Sequence, residues 1–153
     1  MAEAHRDQLA ELKIPAQSEF ISVAKRVATS LAVQMGFTLE EIDELGIAVS
    51  QACDSTIDAA EECWGGVATL KLGYSRTARG IAVEVEALAP QSAEALARVE
   101  VTPAPPVRQP SAQSRAQQAL TQEMIRLFVD DFLPQIDAPR GRIRFRMVKY
   151  LVS

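Results

Sequence analysis

The sequence is poor in the side chains that bind transition metals and form disulfides. Among its 153 residues there are one histidine, His5, and two cysteines, Cys53 and Cys63. Two cysteines are too few for a disulfide framework, and they lack the histidine and cysteine partners of a zinc site. We therefore expect no metal centre, and we expect both cysteines to be buried thiols.

No stretch of the sequence approaches the roughly eighteen consecutive apolar residues of a membrane-spanning helix. The start, MAEAHRDQLAEL, lacks the basic segment followed by an apolar core that a secretory signal peptide requires. Net charge is also low, because 16 basic and 20 acidic residues leave −4, which does not favour a nucleic-acid-binding protein. The sequence thus predicts a cytoplasmic protein that binds neither membranes nor nucleic acids.

Length and composition are those of one globular domain. Apolar residues make up 48% and charged residues 24% of the chain, which is ordinary for a folded protein. We expect residues 1–11 to form a polar lead and residues 12–153 to fold as a single domain. Within this domain, residues 89–118 are rich in proline, alanine and glutamine, and we expect them to form a loose loop.

The segment from Thr38 to Ala60 is the strongest helix prediction and carries the candidate site. Thr38 and Glu41 have the spacing of a capping box, in which each side chain accepts a hydrogen bond from the other residue's backbone N–H. Apolar residues then recur with helical spacing along one side. Beside them, four polar residues fall on one line of the helix: Gln51, Asp54, Ser55 and Asp58. Such a line is either a solvated face or a functional site.

The remaining segments alternate between strand and helix patterns. The predicted order is a short strand ending at Pro15, a helix over 18–36, the helix from Thr38, a hairpin of strands 67–74 and 81–88, the loop, a helix over 114–135 and a strand over 142–152. This order predicts an α/β (α+β) two-layer sandwich, in which helices cover one face of a mixed, mostly antiparallel sheet.

Two groups of basic residues are further candidates for binding. In the last strand Arg142, Arg144 and Arg146 alternate with apolar residues, so the three guanidinium groups share one face of the sheet. This pattern fits a solvated face on an outer strand, where cations discourage edge pairing, or a patch for phosphate or an acidic partner. Lys25 and Arg26 stand together on the outer side of the first helix, where they are either solvated or contact an acidic partner.

Three runs of the sequence, KIPAQSEF, MGFTLEEIDELGIAVSQAC and MVKYL, resemble the anti-sigma-factor serine kinases. These are small bacterial regulators of the histidine-kinase-like, or Bergerat-fold, ATPase superfamily. The resemblance covers residues 12–60 and resumes over residues 125–151. It implies a Bergerat-like fold and a regulator that holds a sigma factor inactive, in many members while phosphorylating a serine of an anti-anti-sigma protein. It also implies a homodimer formed through the sheet and a partner surface around Lys25 and Arg26.

The positions that carry catalysis in this family are altered here. The family's central helix has a glutamate, the catalytic base, four residues before an asparagine that holds the magnesium ion on the ATP phosphates. The matching positions in this sequence are Gln51 and Ser55. Glutamine cannot accept a proton near neutral pH, and serine is shorter than the amide that it replaces. Asp54 and Asp58 are turned by about 100° from these positions, so we do not expect them to substitute.

Glycines that the family places around the nucleotide are also missing. The sequence has no glycine between Gly80 and Gly141. Glycine-rich turns permit positive φ and let backbone N–H groups approach phosphate oxygens. Where the last of these turns is expected, residues 121–124 have a helical pattern instead. We therefore expect protein to fill the nucleotide pocket.

These departures predict a degenerate member of the family, a pseudokinase that regulates transcription by binding proteins and has neither a catalytic residue nor a cofactor. One alternative is an active serine kinase dependent on ATP and magnesium, in which Asp54, Asp58 or Glu86 has taken over a lost role. Another is a scaffolding module that has left sigma-factor regulation. Magnesium-dependent ATP binding would identify the first alternative. Neighbouring genes that encode no sigma factor or anti-anti-sigma protein would favour the second.

Overall fold

The computed structural model describes residues 7–65, 68–89, 112–137 and 142–151. In these residues a single turn of 3-10 helix, Ser18–Phe20, leads into the first α-helix. The helices and strands, in chain order, are β1 (Gln8–Pro15), α1 (Ile21–Met35), α2 (Leu39–Trp64), β2 (Thr69–Arg76), β3 (Gly80–Leu88), α3 (Ala112–Phe128), β4 (Asp131–Asp137) and β5 (Arg142–Tyr150).

The strands form one open sheet in the order β1-β2-β3-β5-β4. Each neighbouring pair of described strands is antiparallel, so the described sheet is antiparallel throughout, where the sequence predicts a mostly antiparallel one. Two parallel neighbouring strands need a long crossover connection between them, and no parallel pair of neighbouring strands joined in that way occurs in the described residues. The predicted class is confirmed, because three helices cover one face of the sheet in a two-layer α+β arrangement.

The core lies between the sheet and the helices. Tyr74 brings a polar atom into this core, and its hydroxyl donates to the backbone carbonyl oxygen of Ala24 at 2.8 Å. The bond satisfies a buried group that would otherwise be costly, and it joins β2 to α1. Other large side chains buried on the helix-facing side of the strands are Leu70, Leu72, Val83, Val85, Ile143, Phe145 and Met147.

Helix α2 begins as its sequence predicts. The Thr38 hydroxyl accepts from the Glu41 backbone N–H at 3.2 Å, and Glu41 Oε1 accepts from the Thr38 backbone N–H at 2.9 Å. The helix continues four residues past Ala60 to Trp64 and ends at Gly65, whose φ of 67° lies in the left-handed region that favours glycine. The capping-box prediction is therefore confirmed.

Parts of the predicted lead and of the predicted loop belong to regular secondary structure. Strand β1 begins at Gln8, so residues 8–11 belong to the sheet, where Glu11 lies opposite Gly73 of β2. A polar residue in every second position fits an edge strand with one solvated face. Helix α3 begins at Ala112, so residues 112–118 of the predicted loop are helical. Residues 1–6 and 90–111 lie outside the described part of the chain.

The predicted third helix was too long. Helix α3 ends at Phe128, and the following residues form strand β4, which carries Pro134 opposite Phe145 of β5. Proline cannot continue a helix interior, but it is tolerated in an edge strand, where its missing N–H costs no ladder hydrogen bond. Strand β4 is therefore the edge strand beside β5. Strand β5 is an inner strand, which differs from the outer strand of the solvated-face interpretation.

Candidate functional site

The polar line of α2 is divided between solvent and the interface with α3. Asp54 and Asp58 are exposed and Gln51 is half-buried, whereas Ser55 is only 5% exposed. Helix α3 packs on this side of α2. The Ser55 hydroxyl oxygen has no hydrogen-bond partner among the described residues. A buried hydroxyl without a partner is unusual, and it marks Ser55 as the centre of the candidate site.

A cavity of about 50 Å³ remains beside Ser55. Its lining comes from α2 and α3, and it consists of Asp54, Ser55, Asp58, Gln117, Gln118 and Thr121. Pockets for drug-sized ligands enclose roughly 300–1,000 Å³, so this cavity is large enough for a water molecule or a small cationic head group but not for a nucleotide. The structure thus brings Ser55 together with Asp54 and Asp58, while Gln51 does not line the cavity.

A buried lysine forms hydrogen bonds that hold helix α3 against α2 near this site. Lys149 is 6% exposed; its Nζ donates to Glu44 Oε2 at 2.8 Å and to the backbone carbonyl oxygen of Phe128 at 2.9 Å. The lysine thereby joins the C-terminal turn of α3 to the N-terminal half of α2. Residues 121–124 are continuous helix as expected. Sequence reasoning missed Lys149, although its spacing from Phe145 and Met147 places it on the core face of β5.

The electrostatic surroundings of α2 are strongly acidic. The helix contains no lysine or arginine over its 26 residues, and its acidic residues are Glu40, Glu41, Asp43, Glu44, Asp54, Asp58, Glu61 and Glu62. The pKa of the Asp58 carboxyl is raised, first because burial disfavours its charged form and then because Asp54, Glu61 and Glu62 repel it. The exposed side of the candidate site therefore attracts cations.

The Lys25 and Arg26 side chains are exposed on α1, as the sequence predicts. Neither head group forms an ion pair with a described residue. The aliphatic stem of Lys25 lies over α2, since a Cβ atom added at Gly46 would be 3.0 Å from Lys25 Cε. Lys25 therefore packs part of its stem against α2, while both residues remain exposed.

Arg144 and Arg146 of β5 lie on the sheet face opposite the helices, and both contact Glu84 there. Glu84 Oε1 accepts from Arg144 Nη2 at 2.6 Å and lies 3.4 Å from Arg146 Nε. Glu86 of β3 is on the same face and lies opposite Arg144 in the register. The structure does not describe the side chain of Arg142. Pairing to Glu84 partly neutralises this face, which favours the solvated-face interpretation over a phosphate patch.

The two cysteines are buried thiols, as expected. Burial, followed by the neighbouring charge of Asp54, raises the pKa of the Cys53 thiol to about 12. Burial also raises the pKa of Cys63. A protonated thiol is a poor nucleophile and a poor metal ligand. No cluster of histidine, cysteine or carboxylate side chains with the makings of a metal site occurs in the residues that the structure describes.

These features define a class of protein: a layered α+β domain whose central helix carries a small polar cavity under an adjoining helix. The resemblance seen in the sequence is confirmed by similarity to the serine-protein kinases RsbW of several bacteria. The chain is 34% identical to that of Halalkalibacterium halodurans over 56 residues, which are 37% of this chain and 35% of the relative. It is 36% identical to that of Bacillus subtilis over 64 residues, 41% of this chain and 40% of the relative.

A third relative, the RsbW of Bacillus pumilus, is 40% identical over 52 residues, 34% of this chain and 32% of the relative. The matched part thus spans about a third to two fifths of the length of each of these relatives. No family model matches the chain. In the described residues, no helix combines the length and the apolar character needed to cross a membrane.

Proposed function

We propose that this protein is a cytoplasmic regulator of the anti-sigma type, which acts by binding a sigma factor, an anti-anti-sigma protein or both. In this proposal its nucleotide site is degenerate. The observation that carries the proposal is the packing of α3 against Ser55, which leaves a cavity of about 50 Å³ at the position that matches the family's magnesium ligand. Similarity to serine-protein kinases RsbW supports the regulatory class.

The side chains of the site support the same reading. A general base needs a proton acceptor within hydrogen-bond reach of the hydroxyl that it activates. Gln51 supplies an amide, which does not take up a proton at neutral pH. Ser55 supplies a hydroxyl that is buried at the interface of two helices, whereas magnesium prefers a site that retains several waters. We therefore propose that the protein turns over no nucleotide.

Partner binding is assigned to the outer side of α1. Lys25 and Arg26 are exposed neighbours whose charges have no ion-pair partner among the described residues, so they are available for carboxylates of another protein. The resemblance implies a basic residue in this region as a partner contact. Homodimerisation through the sheet is a further part of the proposal, supported by the resemblance alone.

An active serine kinase is the second candidate, favoured by the names of the relatives. It would require carboxylates to replace the lost groups. Glu86 is a poor choice, because it lies on the face of the sheet opposite the helices, next to Arg144. Asp54 and Asp58 line the small cavity, so they are the carboxylates that this candidate would use. The third candidate is a scaffolding module without sigma-factor partners. Adjacent genes that encode no sigma factor and no anti-anti-sigma protein would favour it.

The nucleotide site is tested by calorimetric titration with ATP and with ADP in the presence of magnesium. We expect no detectable heat at roughly millimolar nucleotide. A matched variant, Gln51→Glu with Ser55→Asn, restores the family's side chains and is also expected not to bind, because α3 still covers the position. Micromolar binding by the wild-type protein would favour the active kinase over the regulator with a degenerate nucleotide site.

The partner surface is tested by co-elution with the sigma factor and the anti-anti-sigma protein encoded nearest to its gene. Replacing Lys25 and Arg26 with glutamate is expected to weaken the complex at least about tenfold. Lys13→Glu with Arg76→Glu is the matched control, since it makes the same change of charge at exposed basic residues of β1 and β2. Equal loss in the control would show that net charge, not the α1 surface, determines binding.

A further inference from the structure

The exposed side of α2 carries a line of carboxylates that no cation of the described residues balances. Asp43, Asp54, Asp58 and Glu61 recur at helical spacing along one exposed side, and we call them the acidic line. None of the four forms an ion pair with a described residue. From Asp43 to Glu61 the line extends over eighteen residue-to-residue steps, which is about 27 Å of helix at 1.5 Å per residue.

An apolar stripe lies on the neighbouring helix. Leu120, Met124 and Leu127 of α3 follow one another at spacings of four and three residues, so they share one face. Leu120 is 61% and Leu127 78% exposed. Ile47 of α2 is also exposed and falls within the acidic line. Four large apolar side chains on two adjacent helices are more than the isolated exposed residues of an ordinary surface.

The two features belong to one surface because α2 and α3 are antiparallel neighbours. Lys149 joins Glu44 to Phe128 at one end, and the cavity beside Ser55 is shared with Gln117 and Thr121 towards the other. Ile47, less than one turn beyond Glu44, therefore lies level with the last turns of α3, which carry Met124 and Leu127. The apolar stripe and the acidic line run side by side on the solvent side of the helix layer.

We propose that α2 and α3 form a docking surface for a basic amphipathic helix of a partner protein. Its apolar face covers Leu120, Met124 and Leu127, and its lysines or arginines meet the acidic line. This is the helix-in-groove mode of recognition, in which apolar anchors supply most of the affinity and charges orient the helix. Uncompensated carboxylates select a basic partner and reject nucleic acids and anionic membranes. The inference uses other residues than Lys25 and Arg26 and does not depend on their role.

The cavity beside Ser55 gives this surface a polar anchor point. It opens between Asp54 and Asp58, and the Ser55 hydroxyl that lines it has no partner among the described residues. A lysine ammonium of the bound helix fits a space of this size, where it donates to Ser55 Oγ and lies against both carboxylates. Its arrival satisfies a buried acceptor and relieves the repulsion between the two aspartates.

The surface is tested with a synthetic peptide of about 18 residues that has leucines on one helical face and lysines on the other. Fluorescence anisotropy measures its binding to the wild-type protein and to three variants. The first is Asp54→Asn with Asp58→Asn, and the second is Leu120→Gln with Leu127→Gln. The control, Asp7→Asn with Asp131→Asn, removes the same charge from exposed residues, one just before β1 and one at the start of β4. Circular dichroism checks that each variant is folded.

The wild-type protein is expected to bind the peptide with micromolar affinity, more weakly as salt is raised. Each of the first two variants is expected to lose about tenfold in affinity, and the control less than about twofold. Absence of wild-type binding, or equal losses in the control and the aspartate variant, would overturn the proposal. A wild-type dimer that Leu120→Gln with Leu127→Gln converts to a monomer in sedimentation would also overturn it, because a second copy would then be the occupant.

Discussion

Lys149 is the residue whose removal most directly tests how α3 is held over the candidate site. The variant Lys149→Met keeps an apolar stem of similar length and loses both hydrogen bonds, to Glu44 and to the Phe128 carbonyl. Breaking a buried charge pair by removing one member costs about 3–5 kcal/mol. Because the Glu44 side chain is 32% exposed, water takes over part of its solvation, and we expect a loss of about 2–3 kcal/mol.

The assay is urea unfolding followed by circular dichroism, with thermal unfolding as a second measure. In a chain of this length about 1 kcal/mol corresponds to roughly 2–4 °C in Tm, so Lys149→Met should lower Tm by about 5–10 °C. Lys71→Met is the matched control, because the Lys71–Glu11 pair is exposed and its atoms are 3.6 Å apart. The control is expected to change stability by less than about 0.5 kcal/mol. A change that small in Lys149→Met would refute the reasoning.

Three smaller perturbations follow from individual contacts. Tyr74→Phe leaves the Ala24 carbonyl without its buried donor and should cost about 1–2 kcal/mol in urea unfolding, whereas Tyr150→Phe, at a half-buried position, should cost less. Thr38→Ala removes one arm of the capping box and should cost about 1 kcal/mol. Asp58 has a raised pKa in the folded state, so its contribution favours folding below its unfolded pKa and is lost as pH rises through the folded value. Asp58→Asn should therefore flatten the fall in stability between acid and neutral pH, and an unchanged pH profile would contradict this assignment.

Much of the fold could be predicted because the decisive signals are local. The capping box of Thr38 and Glu41 fixes the start of α2, and alternation in β3 and β5 places their apolar residues under the helices. The end of α3 could not be predicted in this way. Phe132 follows Phe128 at helical spacing, so the apolar pattern continues through a segment that is in fact β4. Only its pairing with β5, a contact between distant parts of the chain, makes it a strand.

The candidate site shows the same division between local and non-local information. The polar line on α2 and its departure from the family could be read from the sequence at Gln51 and Ser55. The cavity could not, because its size depends on how closely α3 approaches Ser55. The position of Lys149 could have been noticed in the sequence, because it is a charged residue at a core-facing position of β5. Its partner Glu44 could not, because the contact depends on how α2, α3 and β5 pack together.

The measurement that tests the central claim most directly combines partner binding with phosphoryl transfer. The purified protein is mixed with the anti-anti-sigma protein encoded nearest to its gene, with and without ATP and magnesium, and the mixture is analysed by size-exclusion chromatography and by intact-mass spectrometry. The account predicts a complex of equal affinity in both samples and no added phosphate on the partner. A phosphorylated serine on the partner, or a complex that forms only with nucleotide, would contradict it.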